Sequence, residues 1–267
     1  MRSILTHRGN HAGRGAHGGD RDRRADVERW APVAGKSETR ATLAKRRADV
    51  ASMFDKVASR YDLMNGIMTG GQHLYWRRQV VRALAPRPGM RILDVAAGTG
   101  TSSRPLADAG ALVVPVDLSF GMLAEGKKRW PDLPFVHADA LDLPFTDATF
   151  DAVTVSYGIR NVENTLAALR ELRRVTRPGG IAVINEFSTP TWAPFRALYQ
   201  RVVLARVIPA AAHAFSSNPA AYDYLAESIR TWPDQRAFAQ LMVDAGWRDV
   251  EWKNLSGGAV ALHRARA

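Results

Sequence analysis

The stretch Arg91-Ile-Leu-Asp-Val-Ala-Ala-Gly-Thr-Gly100 decides the fold, because it has the form of a buried strand that runs into a glycine turn. Its largely apolar first half supplies the strand. Gly98 and Gly100 let the backbone turn tightly and approach a ligand without interference from a Cβ atom. The hydroxyls of residues 101–103 are good N-cap formers, so we expect a helix to start there.

Further strand-like runs follow at regular intervals. Residues 112–116 form the second run, which ends at Asp117, the place where a doubly wound fold binds a ribose through an acidic side chain. The next three runs cover residues 135–139, 150–156 and 181–187. This ordered series predicts a Rossmann-like α/β fold with seven strands, mostly parallel, and helices on both faces of the sheet.

The glycine loop also indicates the type of cofactor. A dinucleotide fold needs the pattern G-x-G-x-x-G to receive a pyrophosphate at a helix N-terminus, and here the third glycine position, counted from Gly98, is Ser103. Asp94 precedes the loop, where a carboxylate could orient the loop amides and meet a cationic amino acid group, as S-adenosylmethionine carries. With the ordered strand ends, the sequence resembles the class I methyltransferases that depend on this cofactor.

Helical spacing and breaker residues outline the rest of the chain. We predict a methyltransferase domain over residues 48–267, with an insertion at about 190–232 that caps the carboxyl edge of the sheet. Leu198 and Val202, in an apolar stripe of this insertion, are expected to line a channel for an apolar part of the substrate. Predicted helices cover 49–61, 73–84, 101–108, 121–130, 164–175 and 235–245, predicted turns 62–72 and 177–180, and the last two strands 248–253 and 259–263.

Composition narrows the class of protein. A chain of 267 residues with 46% hydrophobic content can bury one well-filled α/β core and carry a terminal extension. No apolar run approaches the ~20 residues that cross a bilayer. The absence of cysteine excludes disulfides, thiolate metal sites and the cysteine nucleophile that pyrimidine C5-methyltransferases generally use. These features favour a cytoplasmic protein.

Positive charge is concentrated at the N-terminus. Residues 1–47 hold 12 Lys and Arg against 5 Asp and Glu, so they carry +7 of the total net charge of +11 and leave an ordinary +4 on the rest. With few apolar residues, this segment is predicted to be a disordered basic tail. It is either simply solvated or attracted to anionic lipid headgroups. Binding to nucleic acid is disfavoured, because no face that combines aromatic and basic residues is evident.

Four motifs in order carry a family resemblance. Tyr61-Asp-Leu-Met-Asn65 with His73 and Trp76, and Gly158-Ile-Arg-Asn-Val162, resemble signatures of the ubiquinone/menaquinone biosynthesis C-methyltransferases. Residues 224–235 and 254–263 agree as well, so the resemblance covers residues 48–264. The sequence is most similar to the actinobacterial members that act on demethylmenaquinone. It departs from the pattern at Ala97, where glycine is common, at Thr101, where aspartate is frequent, and at Thr69, where serine is usual.

This resemblance implies that the strand ends and the glycine loop bind S-adenosylmethionine. Asp117 can accept hydrogen bonds from two ribose hydroxyls, and Asp139 can accept one from the adenine amino group. Thr99 can bind the methionine end of the cofactor. The alternative for both acids is that each only caps the helix that follows. The predicted cofactor-binding residues are Gly98, Thr99, Gly100, Asp117, Asp139, Ala140 and Ser156.

The implied reaction is C-methylation of a reduced, prenylated naphthoquinol, demethylmenaquinol, to menaquinol. The predicted catalytic residues are Arg160 for oxyanion stabilisation, Asn161 for orienting that network, and Tyr61 for a hydrogen bond to a ring oxygen. The structural alternatives are a surface ion pair for Arg160 and a cap of the helix that starts near Val162 for Asn161. The residues leave open an alternative acceptor, a benzoquinol precursor of ubiquinone or another phenolic molecule.

Three further expectations concern partners. His73 and His137 are expected to be structural, and no metal site is predicted because the histidines lack clustered ligand partners. The prenylated substrate predicts peripheral contact with the inner face of the cell membrane. No nucleic-acid partner is expected.

Overall fold

The computed structural model describes residues 3–4, 47–55, 58, 61–207 and 219–267. Its strands are, in chain order, β1 (Ser3–Ile4), β2 (Arg91–Val95), β3 (Leu112–Asp117), β4 (Val136–His137), β5 (Phe150–Ser156), β6 (Thr176–Phe187), β7 (Arg248–Leu255) and β8 (Val260–Arg266). They form one sheet in the order β1-β7-β8-β6-β5-β2-β3-β4. The seven predicted strands are all present, and β1 is an eighth.

The sheet is mostly parallel, as the sequence predicts. β2 pairs in parallel with β3 and β5, β3 with β4, and β5 with β6. β8 runs antiparallel between β6 and β7, and β1 runs antiparallel on the outer edge of β7. The carboxyl ends of β2 to β6 therefore meet at one edge, where parallel sheets bind ligands.

Nine α-helices surround the described part of this sheet. They are α1 (Arg47–Asp55), α2 (Tyr61–Met68), α3 (Gln72–Leu84), α4 (Arg104–Asp108), α5 (Phe120–Arg129), α6 (Thr165–Val175), α7 (Ala193–Leu198), α8 (Pro219–Thr231) and α9 (Gln235–Asp244). Short 3-10 turns cover Ile159–Asn161 and Ser256–Gly258, and a π-helix covers Tyr199–Val207. In the described part of the chain, no helix is long and apolar enough to cross a bilayer.

Successive residues of each strand face opposite layers of the core. Leu93 packs on the side of α6 and α9, with Leu169 and Met242, whereas its neighbour Ile92 packs on the side of α3 and α4. Such continuous apolar strands are typical of a parallel sheet covered on both faces. On α6 the buried residues recur at helical spacing, and Asn164 caps its first turn by accepting from the Ala167 amide.

Three predictions about local structure are wrong. The expected turn at 62–72 is mostly helical, because α2 occupies its first part. The expected turn at 177–180 lies inside β6, where a register shift between Phe150 and Ala152 of β5 absorbs the extra residues. Ser103 does not cap α4 with its side chain, because its hydroxyl donates to Asp94 Oδ2 instead, at 2.6 Å.

Of the N-terminal tail, the structure describes only residues 3–4 and Arg47. Ser3 and Ile4 pair with Trp252 and Glu251 of β7, which the sequence analysis did not anticipate. The prediction of a disordered tail over residues 1–47 otherwise lies outside the described residues, apart from Arg47, where α1 begins.

Candidate active site

A cavity opens at the carboxyl edge of the sheet, next to the glycine loop. The ends of β2, β3 and β5 form its floor, and α1 forms part of its cover through Val50, Ala51 and Phe54. Six of the seven predicted cofactor-binding residues line this first cavity: Gly98, Thr99, Asp117, Asp139, Ala140 and Ser156. The strand ends thus converge as the sequence predicts.

Gly100 is the predicted cofactor residue that does not line this cavity. Its φ of 73° lies in the left-handed region, and a Cβ atom there would stand 2.6 Å from the Phe135 ring. Its glycine is therefore required for turning the loop and for packing, while Gly98 is the glycine that reaches the cavity wall.

Asp117 organises the loop from the end of β3. Its Oδ2 accepts from the Gly98 amide and its Oδ1 from the Ser119 amide, both at 2.8 Å. Burial raises the pKa of this carboxyl, and the backbone donors oppose that shift. The helix-capping alternative is wrong for both predicted acids: Ser119 caps α5, and Asp139 accepts from the Leu141 amide, which belongs to no helix.

Asp94 does not have the role suggested by its position before the loop. Its side chain is completely buried and is absent from the cavity wall, and its described hydrogen bond is to Ser103. Burial raises the pKa of Asp94 to about 7, against the opposing hydrogen bond from Ser103. This carboxyl therefore ties the strand to the start of α4.

The N-terminal helices are tied over the first cavity by two carboxylates. Asp62 of α2 accepts from Thr99 Oγ1 at 2.8 Å, from Thr101 Oγ1 at 2.9 Å and from Arg129 at 3.0 Å. Asp55 of α1 accepts from the hydroxyl of Ser119 and from a backbone amide at the start of α5. The Thr99 hydroxyl was predicted to bind the methionine end of the cofactor. In the structure it donates its hydrogen bond to Asp62 of the cover.

A second cavity adjoins the first. Residues 190–232, the predicted cap, supply one wall through Phe195, Tyr199, Val203, Tyr224 and Leu225. The opposite wall comes from α2, α3 and the strand ends, and includes Met68, His73, Trp76, Arg160 and Phe187. Four residues line both cavities: Phe54, Asn65, Arg77 and Tyr157.

Tyr157, at the junction, was missed as a site residue by the sequence analysis. It holds a φ of 61°, which is unusual for a residue with a side chain and is found most often at functional sites. Its ring packs with those of Trp76 and Phe187, at centroid distances of 5.9 and 5.1 Å. Burial raises its pKa well above the usual value. The next residue, Gly158, must lack a side chain, because a Cβ atom there would overlap that of Ala96.

The two predicted catalytic residues of the Ile159–Asn161 turn line different cavities. Asn161 lines the first cavity, and its Oδ1 is buried without a partner among the described residues. The cap of the next helix is Asn164, so the capping alternative for Asn161 is wrong. Arg160 lines the second cavity. Tyr61 begins α2, but its side chain lies outside the described residues.

Arg160 forms an ion pair, as its structural alternative predicted, but the pair is buried and not at the surface, and its partner Glu186 was not predicted. Its Nη1 donates to Glu186 Oε1 at 2.8 Å and also to the Tyr157 carbonyl, and its Nε donates to Ser228 Oγ at 3.3 Å. The guanidinium also lies 5.2 Å from the centroid of the Phe187 ring. Burial raises the pKa of Glu186, and the charge of Arg160 opposes this. Glu186 lies one residue before the end of β6, much as Asp117 ends β3, so the same signal, an acid at a strand end, could have found it.

His73 and His137 differ in their surroundings. His137 is exposed and hydrogen-bonds the Leu118 carbonyl, which fits the expected structural role. His73 lines the second cavity, where its Nδ1 lies 2.9 Å from Thr69 Oγ1. The expectation of a purely structural role for His73 therefore misses its place in the cavity wall.

The strand order and the loop cavity together define a Rossmann-like class I methyltransferase fold. The chain is similar to a possible histamine N-methyltransferase of Thermotoga maritima, with a TM-score of 0.60 and 17% identity over 80% of this chain and 98% of that one. It is equally similar in fold to the [4+2]-cyclase SpnF, with a TM-score of 0.60 and 16% identity over 84% and 95%. Since one of these is a cyclase, the fold alone does not select the reaction.

Sequence comparison is more specific. The chain belongs to the ubiE/COQ5 methyltransferase family, whose sequence model matches residues 41–267. It is 59% identical over 227 residues to the demethylmenaquinone methyltransferase of Streptomyces griseus subsp. griseus, across 85% of this chain and 98% of the relative. A relative of the same name from Beutenbergia cavernae is also 59% identical, across 85% and 94%. The expected family is confirmed.

Proposed function

We propose that this protein methylates a ring carbon of reduced demethylmenaquinone with S-adenosylmethionine as the methyl donor, the last step of menaquinone biosynthesis. The observation that carries the proposal is the junction of two cavities at Tyr157. One cavity is lined by the glycine loop and strand-end acids, and the other is an aromatic and aliphatic chamber. The relatives with this name cover the same part of the chain.

The first cavity fits a nucleoside linked to an amino acid. Asp117, Asp139 and Ala140 line this cavity together. Asp117 would supply carboxylate oxygens for ribose hydroxyls, and Asp139 and Ala140 would bind the purine edge. Ser156 Oγ and Asn161 Oδ1 are buried there and have no partner within the described residues, so the cavity wall offers hydrogen-bonding capacity to a polar ligand. When bound, the cofactor supplies an electrophilic methyl group on a sulfonium sulfur.

The second cavity fits a flat ring with an apolar tail. Trp76, Tyr157 and Phe187 provide aromatic surface beside the junction, and Phe195, Tyr199 and Val203 extend the apolar wall along the cap. Arg160 lies in the same cavity wall, with its guanidinium 5.2 Å from the centroid of the Phe187 ring. Its positive charge would stabilise a naphtholate oxygen.

The chemistry explains why the acceptor must be reduced. A quinone ring is electron-poor, whereas a deprotonated quinol places electron density on the carbon beside the oxygen. That carbon forms the new carbon–carbon bond, the electrons of the broken sulfur–carbon bond stay on sulfur, and the ring proton is lost to restore aromaticity. The protein's part is to hold the two reactants in line across the junction and to stabilise the oxygen charge.

A contact with a membrane surface is part of the same proposal. The outer side of 192–207 exposes Trp192 (67%), Leu198 (54%), Val202 (37%) and Val207 (51%). Exposed arginines alternate with them at positions 196, 201 and 206, and residues 188–207 contain no acidic residue. We call these seven residues the cap face. Basic residues between exposed apolar ones suit an anionic lipid surface. The inner side of the same segment lines the second cavity, so a lipid acceptor would have a short path from membrane to site.

The test uses the full chain with methyl-labelled S-adenosylmethionine and chemically reduced demethylmenaquinone in detergent, followed by product mass. The expected product gains one labelled methyl group, and the oxidised quinone gains none. Absence of transfer to the quinol, with cofactor binding measurable, would contradict the proposed acceptor. A benzoquinol precursor of ubiquinone, assayed in parallel, is expected to react more slowly.

A further inference from the structure

We propose that His73 is the general base that removes the hydroxyl proton of the acceptor, acting through its Nε2 atom. The inference deepens the proposed function and rests on it. Arg160 cannot fill this role, because a guanidinium is always protonated and has no acceptor atom. Asp62 accepts three hydrogen bonds in the cover of the first cavity and does not line the second.

The hydrogen bonds of Thr69 determine the tautomer of His73. A hydroxyl has one proton to donate and two lone pairs to accept with. Thr69 Oγ1 lies 2.7 Å from the Asn65 carbonyl oxygen, which can only accept, so the hydroxyl proton is used there. The contact of Thr69 Oγ1 with His73 Nδ1, at 2.9 Å, must then have Nδ1 as the donor. The His73 amide donates to the second lone pair, at 3.4 Å.

The neutral imidazole therefore carries its free lone pair on Nε2. In the described part of the chain no group is hydrogen-bonded to that atom, and the His73 side chain lies in the wall of the second cavity. Burial and the charge of Arg77 lower the pKa of His73, with Asp62 opposing, so the ring is neutral near pH 7. The other charged or titratable groups in this cavity wall are Arg160, Tyr157, Tyr199 and Tyr224.

The proton balance closes without another reactant. His73 Nε2 takes the hydroxyl proton as the ring carbon forms its bond to the methyl group and the sulfur keeps the bonding pair. The methylated carbon then loses its hydrogen to solvent. The proton on Nε2 returns to the same oxygen, which restores the quinol and releases one proton overall. A general base of this kind contributes about 10²–10⁴-fold to the rate.

The first experiment compares kcat across pH for the parent, His73→Gln and His137→Gln under anaerobic conditions. We expect His73→Gln to lower kcat at pH 7 at least about a hundredfold, with cofactor affinity and Tm close to those of the parent. Its residual rate should rise with pH as the quinol ionises unaided, whereas the parent rate levels off. His137→Gln should match the parent. Equal kcat for His73→Gln and the parent would overturn the inference, while an inactive parent would instead reject the proposed function.

A second experiment tests the tautomer. We expect the ¹⁵N shifts of the His73 ring to show a protonated Nδ1 in the parent and in Thr69→Ser, which keeps the hydroxyl. Thr69→Val removes the acceptor that orients the ring, so kcat should fall about tenfold while Thr69→Ser stays near the parent. A ring protonated on Nε2, or equal kcat for Thr69→Val and Thr69→Ser, would overturn the proposed role.

Discussion

Asp94 shows how one buried side chain sets a dependence of stability on pH. Its pKa is raised to about 7 in the folded state, whereas an unfolded aspartate has its ordinary pKa of 3.8. Between these values the folded state binds more protons than the unfolded state, so this group's contribution to stability falls as pH rises from about 4 to about 7 and is constant above. The pKa of His263 is lowered to about 4, so its contribution to stability rises as pH rises from about 4 to about 6.5.

Replacement of Asp94 by Asn isolates this effect from that of His263. The amide oxygen can still accept from Ser103, but the side chain no longer titrates. Relative to the parent, we expect Asp94→Asn to gain stability between pH 5 and pH 8, by a few kcal/mol at about 1.4 kcal/mol per pKa unit. Urea unfolding across this range measures the difference. A difference that does not change with pH would contradict the raised pKa.

Arg160 combines a structural and a proposed catalytic role, and the two are separable. Arg160→Met leaves Glu186 as an unpaired buried carboxylate, which typically costs about 3–5 kcal/mol of stability. The double variant Arg160→Met with Glu186→Gln removes both charges, so it should recover most of that loss. Methyl transfer should remain low in both variants, with cofactor affinity within a few-fold of the parent. Recovery of turnover together with stability would show that Arg160 acts only as an ion-pair partner.

At the scale of elements, α2 joins the two cavities and holds the cover of the first one. Asp62 accepts three hydrogen bonds from the glycine loop and α5, while Met64 packs in a cluster with Tyr199 and Leu204 of the cap. Because the cover is tied to the loop that contacts the cofactor, we expect cofactor affinity to depend on Asp62.

Asp62→Asn should weaken S-adenosylmethionine binding about tenfold, since charge-assisted hydrogen bonds each contribute about 1.5–3 kcal/mol and part of this bonding remains with an amide. The matched control is Asp108→Asn, which removes an exposed ion pair with Arg104 outside both cavities. Isothermal titration of both variants checks the prediction. Unchanged affinity in Asp62→Asn would mean that the cover is held by packing alone.

The strand ends of the site are predictable from sequence because each is a local signal. An apolar run followed by a glycine loop marks β2, and a run that leads to an acid marks β3 and β4; parallel pairing then brings these ends together. Family motifs placed Arg160 and Asn161 on one loop. These consecutive residues line separate cavities because they lie in a 3-10 turn. No local pattern in the sequence specifies that turn.

Other features depend on contacts distant in sequence. Residues 62–72 were predicted to form a turn, but burial of Met64 against the cap stabilises α2. Leu198 and Val202 were expected to line the channel on the assumption of a 3.6-residue period. The π-helix from Tyr199 to Val207 has a longer period, so Tyr199 and Val203 line the cavity while Val202 is exposed. Leu198, at the end of α7, is exposed as well.

At the scale of the whole molecule, the cap face predicts that the protein binds an anionic membrane surface to reach its lipid acceptor. The variant Arg196→Gln, Arg201→Gln, Arg206→Gln removes three charges from the cap face. Each basic residue near an anionic surface contributes about 1 kcal/mol, so binding to vesicles that contain phosphatidylglycerol should weaken on the order of a hundredfold. The matched control replaces three exposed arginines elsewhere, Arg82, Arg87 and Arg170, and leaves the basic tail unchanged.

Positive charges attract an anionic membrane whichever way the cap face points. A second measurement therefore tests whether the cap face itself contacts the bilayer. Trp192 is exposed on the cap face, and brominated lipids quench only tryptophans that enter the bilayer. We expect quenching in the parent and its loss in Trp192→Phe. The cap-face variant should also raise the KM for acceptor in vesicles and spare a short-chain acceptor in solution. Equal vesicle binding by the two triple variants, or quenching that survives in Trp192→Phe, would contradict docking through this face. A parent that is dimeric without lipid and monomeric in the cap-face variant would assign the face to a second copy of the chain.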